Sequence, residues 1–502
     1  MNLRNLTLLC LFTVAPASAG AASSSQALQP NIVHIFADDL GWGSVGFNGQ
    51  QMIQTPHLDG LAAGGLVFNN AYAATVCGPT RAMLYSGFHN GHTLVDRNQN
   101  LSGDVFRDDG QTVGDHLQAA GYNTAVFGKW GFGGSNTGGS DLRPNPGISG
   151  ANSLPNQQGF QTFYGYLNHG RAHSYRVDSL WTTEQPFADN NNGIDEVGEA
   201  YASQPGVANG LWLEKTGNNS SDLDANYTAD LVRQKSLDYI EDSAASGQPF
   251  YLQHASTIPH FDIDAVRNQP GWFDDYGDAK VPGSDSWTDD QKAYAAMITR
   301  FDESVGLILD KLRDPNGDGD LADSIIENTL VIFTSDNGAT QEDNSDINFF
   351  NANGGKRGGK RDLWDGGINV PMVAYWEGTI AGGQTSDVYT DVADFLPTAV
   401  ELAGGESRVG VDGVSLTHEL IGAGVDRHRD YLIFEHHAGD GPDPDSRSPR
   451  WAIVRGDHKL IRFSNGDLDL YHLENDPGET SPLSFGDTGN AAVRDELRAI
   501  AL

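Results

Sequence analysis

Four short apolar runs in this chain each stop abruptly at titratable residues, and that repetition constrains the fold more than any other feature. Asn31 to Ala37 runs into Asp38-Asp39, and Thr124 to Phe127 into Gly128-Lys129-Trp130. Pro249 to Gln253 leads to His254 and the Pro259-His260 pair, and Leu330 to Ser335 to Asp336-Asn337-Gly338. Runs this short and this apolar predict buried strands. Helical patterns alternate with them: Thr112 to Ala120, Tyr227 to about Ser243, and a stripe of Tyr294, Ile298, Phe301, Val305, Ile308 and Leu312 behind a Thr288/Gln291 capping box. The alternation predicts an α/β fold, in which ligands collect outside the carboxyl ends of the strands. Asp38-Asp39 and Asp336-Asn337 at one such edge offer only oxygen ligands, which suits Ca²⁺ or Mg²⁺ and disfavours zinc.

Cys77, Pro79 and Arg81 stand in the order C-x-P-x-R. Pro79 suits the first turn of a helix that Gly87 ends, so Cys77 belongs at a helix N-terminus, where unpaired N–H groups and the dipole favour an anion. Arg81, about one turn on, can face the same end, and Lys129 directly after a buried strand is a candidate anion ligand. The loop NGGKRGGKRDLWDGG adds Lys356, Arg357, Lys360 and Arg361.

That local positive charge matters because the whole chain is strongly acidic, with 31 Lys and Arg against 67 Asp and Glu and a net charge of −36. Such a balance argues against nucleic acid as a partner. Residues 1–19 read as a secretory signal, with Arg4 before an apolar run and Ala17-Ser18-Ala19 as a cleavage site. No later run approaches the roughly 20 apolar residues needed to span a bilayer, so an exported periplasmic or extracellular protein is expected. Of the two cysteines, Cys10 leaves with the signal, and Cys77 becomes a lone exported cysteine of the kind that is reactive or modified.

Ser135 to about Asp224 is rich in Gly, Asn, Asp and Ser and reads as loops and insertions. Within it, His169, Arg171 and His173 form a compact basic cluster that either meets an anionic substrate or supplies ordinary loop polarity. Asp314, Asn316, Asp318 and Asp320 copy the first half of an EF-hand loop, but Ile325 stands at the twelfth position; a second calcium site and a plain acidic loop both fit. Thr390 to Ala403 reads as a helix. Trp451 to Val454, Lys459 to Phe463 and Leu468 to Leu473 read as alternating strands, followed by a helix from Ala491 to Ile500. The expected organisation is a catalytic domain over residues 26–425 and a small antiparallel C-terminal domain over 426–502.

Taken in order, these pieces resemble the type I sulfatases, formylglycine-dependent members of the alkaline phosphatase superfamily. The shared series is Asp38-Asp39, Cys77 to Arg81, Gly128-Lys129-Trp130, Pro259-His260, Asp336-Asn337-Gly338, Lys360 with Trp364-Asp365-Gly366-Gly367, and the L-Y-x-L-x-x-D-P-x-E segment from Leu470 to Glu479. The resemblance implies an alkaline-phosphatase-like mixed sheet flanked by helices. It implies one calcium held by Asp38, Asp39, Asp336, Asn337 and residue 77, with Cys77 oxidised to formylglycine by a dedicated maturation enzyme. The aldehyde hydrate would attack the sulfur of a sulfate ester, with Asp336 as base. Lys129 and Lys360 would neutralise the sulfate oxygens, Arg81 would orient residue 77, and either His260 or Lys360 would protonate the leaving alcohol. The implied substrate is a sulfated carbohydrate, with a phosphonate or phosphate ester hydrolase, or a non-catalytic calcium- and glycan-binding relative, as alternatives. Many relatives read G-K-W-H where this chain has Gly131, and His173 is the expected substitute for that histidine.

Overall fold

The computed structural model describes residues 28–98, 111–132, 153–186, 210–217, 226–260, 263, 266, 275–342, 345–405, 410–426, 429–436 and 449–501. The predicted signal, residues 1–19, lies outside them, as does much of the stretch from 135 to 224.

The strands are β1 (Asn31–Ala37), β2 (Leu66–Phe68), β3 (Ala71–Tyr72), β4 (Asn123–Lys129), β5 (Thr162–Tyr166), β6 (Ser179–Thr182), β7 (Trp212–Lys215) and β8 (Phe250–Ala255). They continue with β9 (Thr329–Ser335), β10 (Met372–Tyr375), β11 (Gln384–Ser386), β12 (Thr390–Asp391), β13 (Leu432–Glu435), β14 (Pro449–Arg455), β15 (His458–Phe463) and β16 (Leu468–His472). Ten of them form one sheet among the described residues, in the order β11-β2-β10-β9-β1-β8-β4-β5-β6-β7. The central strands β9, β1, β8, β4 and β5 are parallel. Their carboxyl ends therefore share one edge, and the four titratable strand ends of the sequence converge there.

Every residue of β1 is buried, as a central strand with both faces covered requires. Val33, Ile35 and Ala37 join one core with apolar residues of the helices Pro56–Gly64, Thr228–Ser246 and Asp289–Arg313. Ile32 and Phe36 join a second core with the helices Cys77–Ser86, Val113–Ala119 and Phe395–Leu402. The β4–β8 contact depends on one glycine. Gly128 has φ +107, and a Cβ there would lie 1.9 Å from the Ala255 carbonyl oxygen.

Two local expectations are corrected. The stretch read as loops contributes β5, β6 and β7 to the sheet; these are only four or five residues long, too short for a period to declare itself against their polar surroundings. The helix expected from Thr390 begins only at Phe395, because Thr390 and Asp391 pair with β3 before Asp391 caps a short turn.

Strands β13 to β16 form a separate antiparallel sheet. One face packs on Tyr72, Leu363 and Ile368, and the other on the helix Thr488–Ile500. Lys459, fully buried in β15, places its Nζ 2.9 Å from both Asp365 and Glu479, which ties this sheet to the loop carrying Lys360.

Candidate active site

Cys77 is the first residue of the helix Cys77–Ser86, with Val76 in extended conformation as its cap. Its Sγ donates to Asp38 Oδ1 at 3.2 Å and lies 3.8 Å from Asp39 Oδ1. Asp38 and Asp39 follow β1 directly, and Asp39 adopts φ +65, a left-handed conformation that is uncommon for non-glycine residues but that Asp tolerates. Asp336, after β9, accepts the Asp39 N–H at 2.9 Å, and Asn337 Nδ2 donates to Asp39 Oδ1 at 2.7 Å.

Three cations face these carboxylates. Lys129 Nζ is 2.6 Å from Asp38 Oδ2, and Lys360 Nζ is 2.8 Å from Asp39 Oδ2. Arg81 donates to the Lys129 carbonyl at 2.6 Å and to Asp336 Oδ2 at 3.2 Å. His260 Nε2 stands 3.4 Å from Asp39 Oδ2. All these groups are buried.

The electrostatics follow from that burial. It opposes the charge of Asp38, but Lys129, His260, Arg81 and Lys360 hold its carboxyl well below the usual range. Asp336 is pushed up to about 7, by burial first and then by Asp38. Burial, with Asp336 and Asp38 beside it, raises the Cys77 thiol well above its ordinary value. These surroundings disfavour the thiolate, the form in which a cysteine acts as nucleophile or metal ligand.

Ligand atoms of Asp38, Asp39, Cys77 and His260 lie within 4.8 Å of one another. Asn337 Oδ1 is buried without a hydrogen-bond partner beside them. An unpaired amide oxygen next to three carboxylates fits a hard divalent cation. The sequence-derived set Asp38, Asp39, Cys77, Asp336 and Asn337 is thus brought together, as are Arg81, Lys129, Lys360 and His260.

The basic cluster of the 169–173 segment divides. The His173 ring lies 4.4 Å from that of His260, while Arg171 pairs with Asp178. The ring facing Gly131 is His169: a Cβ on Gly131 would lie 3.4 Å from its Cε1 and Nε2, and a Cβ on Gly78 3.2 Å from its Nε2. His173 is therefore on the His260 side, and the space beside Gly131 belongs to His169. The reason is geometric. Trp130 and Gly131 continue the β4–β5 pairing through the carbonyls of Tyr166 and Leu167, which sets residue 169 against them.

In the loop of Asp314, Asn316, Asp318 and Asp320, Asp314 accepts the N–H groups of Gly317 and Gly319, Asn316 that of Asp318, Asp318 that of Asp320 and Asp320 that of Ala322. Among the described residues these acids do not form a group of three with ligand atoms within 4.8 Å of one another. Two site residues gave no sequence signal. Thr80 donates to the Asp336 carbonyl at 2.6 Å, and Glu342 reaches Lys360 at 3.4 Å and Arg361 at 2.6 Å. Glu342 belongs to an acidic run with no motif to set it apart.

The profile of the Sulfatase family matches residues 30–405, and that of the N-sulphoglucosamine sulphohydrolase C-terminal region matches residues 358–500. The chain is 31% identical to N-acetylgalactosamine-6-sulfatase of Mus musculus, over 91% of this chain and 82% of that protein. It is 28% identical to a sulfatase of Formosa agariphila, over 94% and 87% respectively. The crystal structure of Ps i-CgsB in complex with k-i-k-neocarrahexaose shares the fold, with a TM-score of 0.69 at 24% identity and coverage of 94% and 92%.

Proposed function

Because the chain belongs to the sulfatase family of sulfuric ester hydrolases, we propose that it is an exported enzyme that removes sulfate from a sulfated carbohydrate, using residue 77 matured to formylglycine. The observation that carries this reading is the placement of Cys77 at a helix N-terminus among three carboxylates, an unpaired amide oxygen and three buried cations. Asp38, Asp39, Asp336 and Asn337 would hold a calcium ion, which would supply positive charge to the sulfate and to the oxygens of residue 77.

The chain's own residues do the rest. Lys129 and Lys360 meet the sulfate oxygens on which charge accumulates as the ester bond breaks. Arg81, locked between Asp336 and the Lys129 carbonyl, fixes both neighbours rather than touching the ester. Asp336, buried after β9 beside Asp39 and Arg81, is placed to accept a proton from residue 77. His260 and Lys360 both adjoin Asp39 Oδ2, and either can place a proton on the departing alkoxide. His173, whose ring lies tilted 4.4 Å from that of His260, supports that side of the reaction.

The carbohydrate substrate is supported by the N-acetylgalactosamine-6-sulfatase relative, whose name specifies a sulfated sugar. Export is supported by the signal-like residues 1–19, and no helix among the described residues is long and apolar enough to cross a membrane. Sulfate release from a panel of defined sulfated oligosaccharides, run beside aryl sulfate and aryl phosphate, tests the reading. Efficient release from sugar sulfates with weak phosphatase activity is expected; preference for the phosphate ester overturns it.

A further inference from the structure

A cavity of about 720 Å³ opens beside the site, and Lys360 lines both. Its wall includes Glu342, Asn348, Asn351 and Arg361. The four cations of the loop that borders it are used differently. Lys356 lies over the Trp42 ring at 4.9 Å and near Asp365 at 3.8 Å. Arg357 stacks on Trp364 at 3.9 Å and donates to the Glu479 carbonyl at 3.1 Å. Lys360 is committed to Asp39. Arg361 is different: its side chain is 34% exposed, and among the described residues the carboxylate within ion-pair distance is Glu342, 2.6 Å away, which Lys360 shares at 3.4 Å.

Two further features single out Arg361. Its backbone holds φ +78, a strained conformation for a residue with a Cβ, and its N–H donates to the Thr75 carbonyl at 2.8 Å, two residues before Cys77. Its Nε is buried and makes no hydrogen bond. A guanidinium has a planar fork of donors that matches a carboxylate or sulfate two-pronged, which a lysine does not. Here part of that fork is unused, and the rest is held by a half-exposed ion pair of the weak kind.

We propose that Arg361, released from Glu342, binds a second anionic group of the substrate, so that the enzyme prefers a glycan carrying another sulfate or a carboxylate near the ester it cleaves. This rests on the sulfatase reading above. The sulfate undergoing cleavage meets Lys129 and Lys360 in the buried site, and Arg361 is the next position outward, on the cavity side. Glu342 keeps Lys360 and Arg361 partly neutralised until an anion replaces it. In a chain of net charge −36, such a local exchange gives specificity without long-range attraction.

The test compares wild type, Arg361→Gln, Arg361→Lys and Glu342→Gln, all matured, on four substrates: an aryl sulfate, a neutral monosulfated oligosaccharide, a disulfated one, and a monosulfated one containing a uronate. Wild type should favour one of the last two, and which one identifies the second group. Arg361→Gln should lose about tenfold or more in kcat/KM on that substrate, mainly through KM, with little change on aryl sulfate, which also reports correct folding. Arg361→Lys should recover only part of the loss, and Glu342→Gln should lower KM for the doubly anionic substrate. An equal loss on all four substrates, or no wild-type preference for a second anion while aryl sulfate is cleaved, overturns this proposal and leaves the sulfatase reading intact. Failure of matured wild type to cleave any sulfate ester overturns both.

Discussion

Cys77 donates its thiol hydrogen to Asp38 at 3.2 Å, where a helix N-terminus meets the carboxyl end of β1. The same point collects Asp39, Asp336 and the unpaired Asn337 Oδ1. Thermal unfolding should therefore show stabilisation by Ca²⁺, about 2.7 kcal/mol at a hundredfold excess over Kd. Asp39→Asn should abolish the shift and Asn337→Ala should weaken it. Chelation should stop sulfate release and calcium should restore it. An equal shift in Asp39→Asn would place the ion elsewhere.

Arg81 is fully buried and lies between Asp336 and Asp38, 3.2 and 3.9 Å from their carboxylates. Removing one partner of a buried ion pair typically costs about 3–5 kcal/mol, because the remaining charge is left uncompensated. Arg81→Ala should lose stability on this scale in urea unfolding. Arg81→Lys should recover only part, since a point charge cannot hold the Lys129 carbonyl and Asp336 together.

Glu479 and Asp365 share the single ammonium of Lys459. Burial, and then the charge of Asp365, push the Glu479 pKa from its ordinary 4.5 up to about 7, against the pull of Lys459. A raised folded-state pKa contributes stability that is full below 4.5 and is lost as pH rises through about 7. Glu479→Gln copies the protonated form. Wild type and variant should therefore melt alike at about pH 5, with the variant more stable at about pH 8. Parallel melting curves across that range would show that Glu479 is ionised throughout.

His260 and Lys360 both adjoin Asp39 Oδ2. A general acid matters most for a poor leaving group, so His260→Ala should lose about 10²–10⁴-fold on a sugar sulfate and far less on an aryl sulfate. Lys360→Ala should lose activity on both substrates, because sulfate binding goes with it. Full turnover by His173→Ala would remove that residue from the reaction and turn attention to His169, whose ring faces Gly131.

The centre of this fold was legible in the sequence because buried parallel strands are short, apolar and end in polar residues. The extent of β1 matches the apolar run residue for residue, and β9 differs by one residue at its start. Asp38, Asp336, Lys129 and Cys77 could be grouped because each follows a strand end or starts a helix. Strands β5 to β7, which complete one side of the sheet, were not legible, being brief and set in polar chain. Glu342 was hidden for a different reason: its role depends on Lys360 and Arg361 folding back over it, which no local pattern records. Which histidine of the 169–173 segment faces Gly131 was not legible either, because sequence proximity does not say which way each ring turns.

The central claim is that residue 77 works as an aldehyde rather than a thiol. Mass spectrometry of the peptide holding residue 77, from protein made in its native host or with a formylglycine-generating enzyme and matched to sulfate release, tests it most directly. The account predicts that the aldehyde-bearing peptide rises in proportion to specific activity and that Cys77→Ala releases no sulfate. Full sulfatase activity from protein whose residue 77 is entirely an unmodified thiol would contradict it.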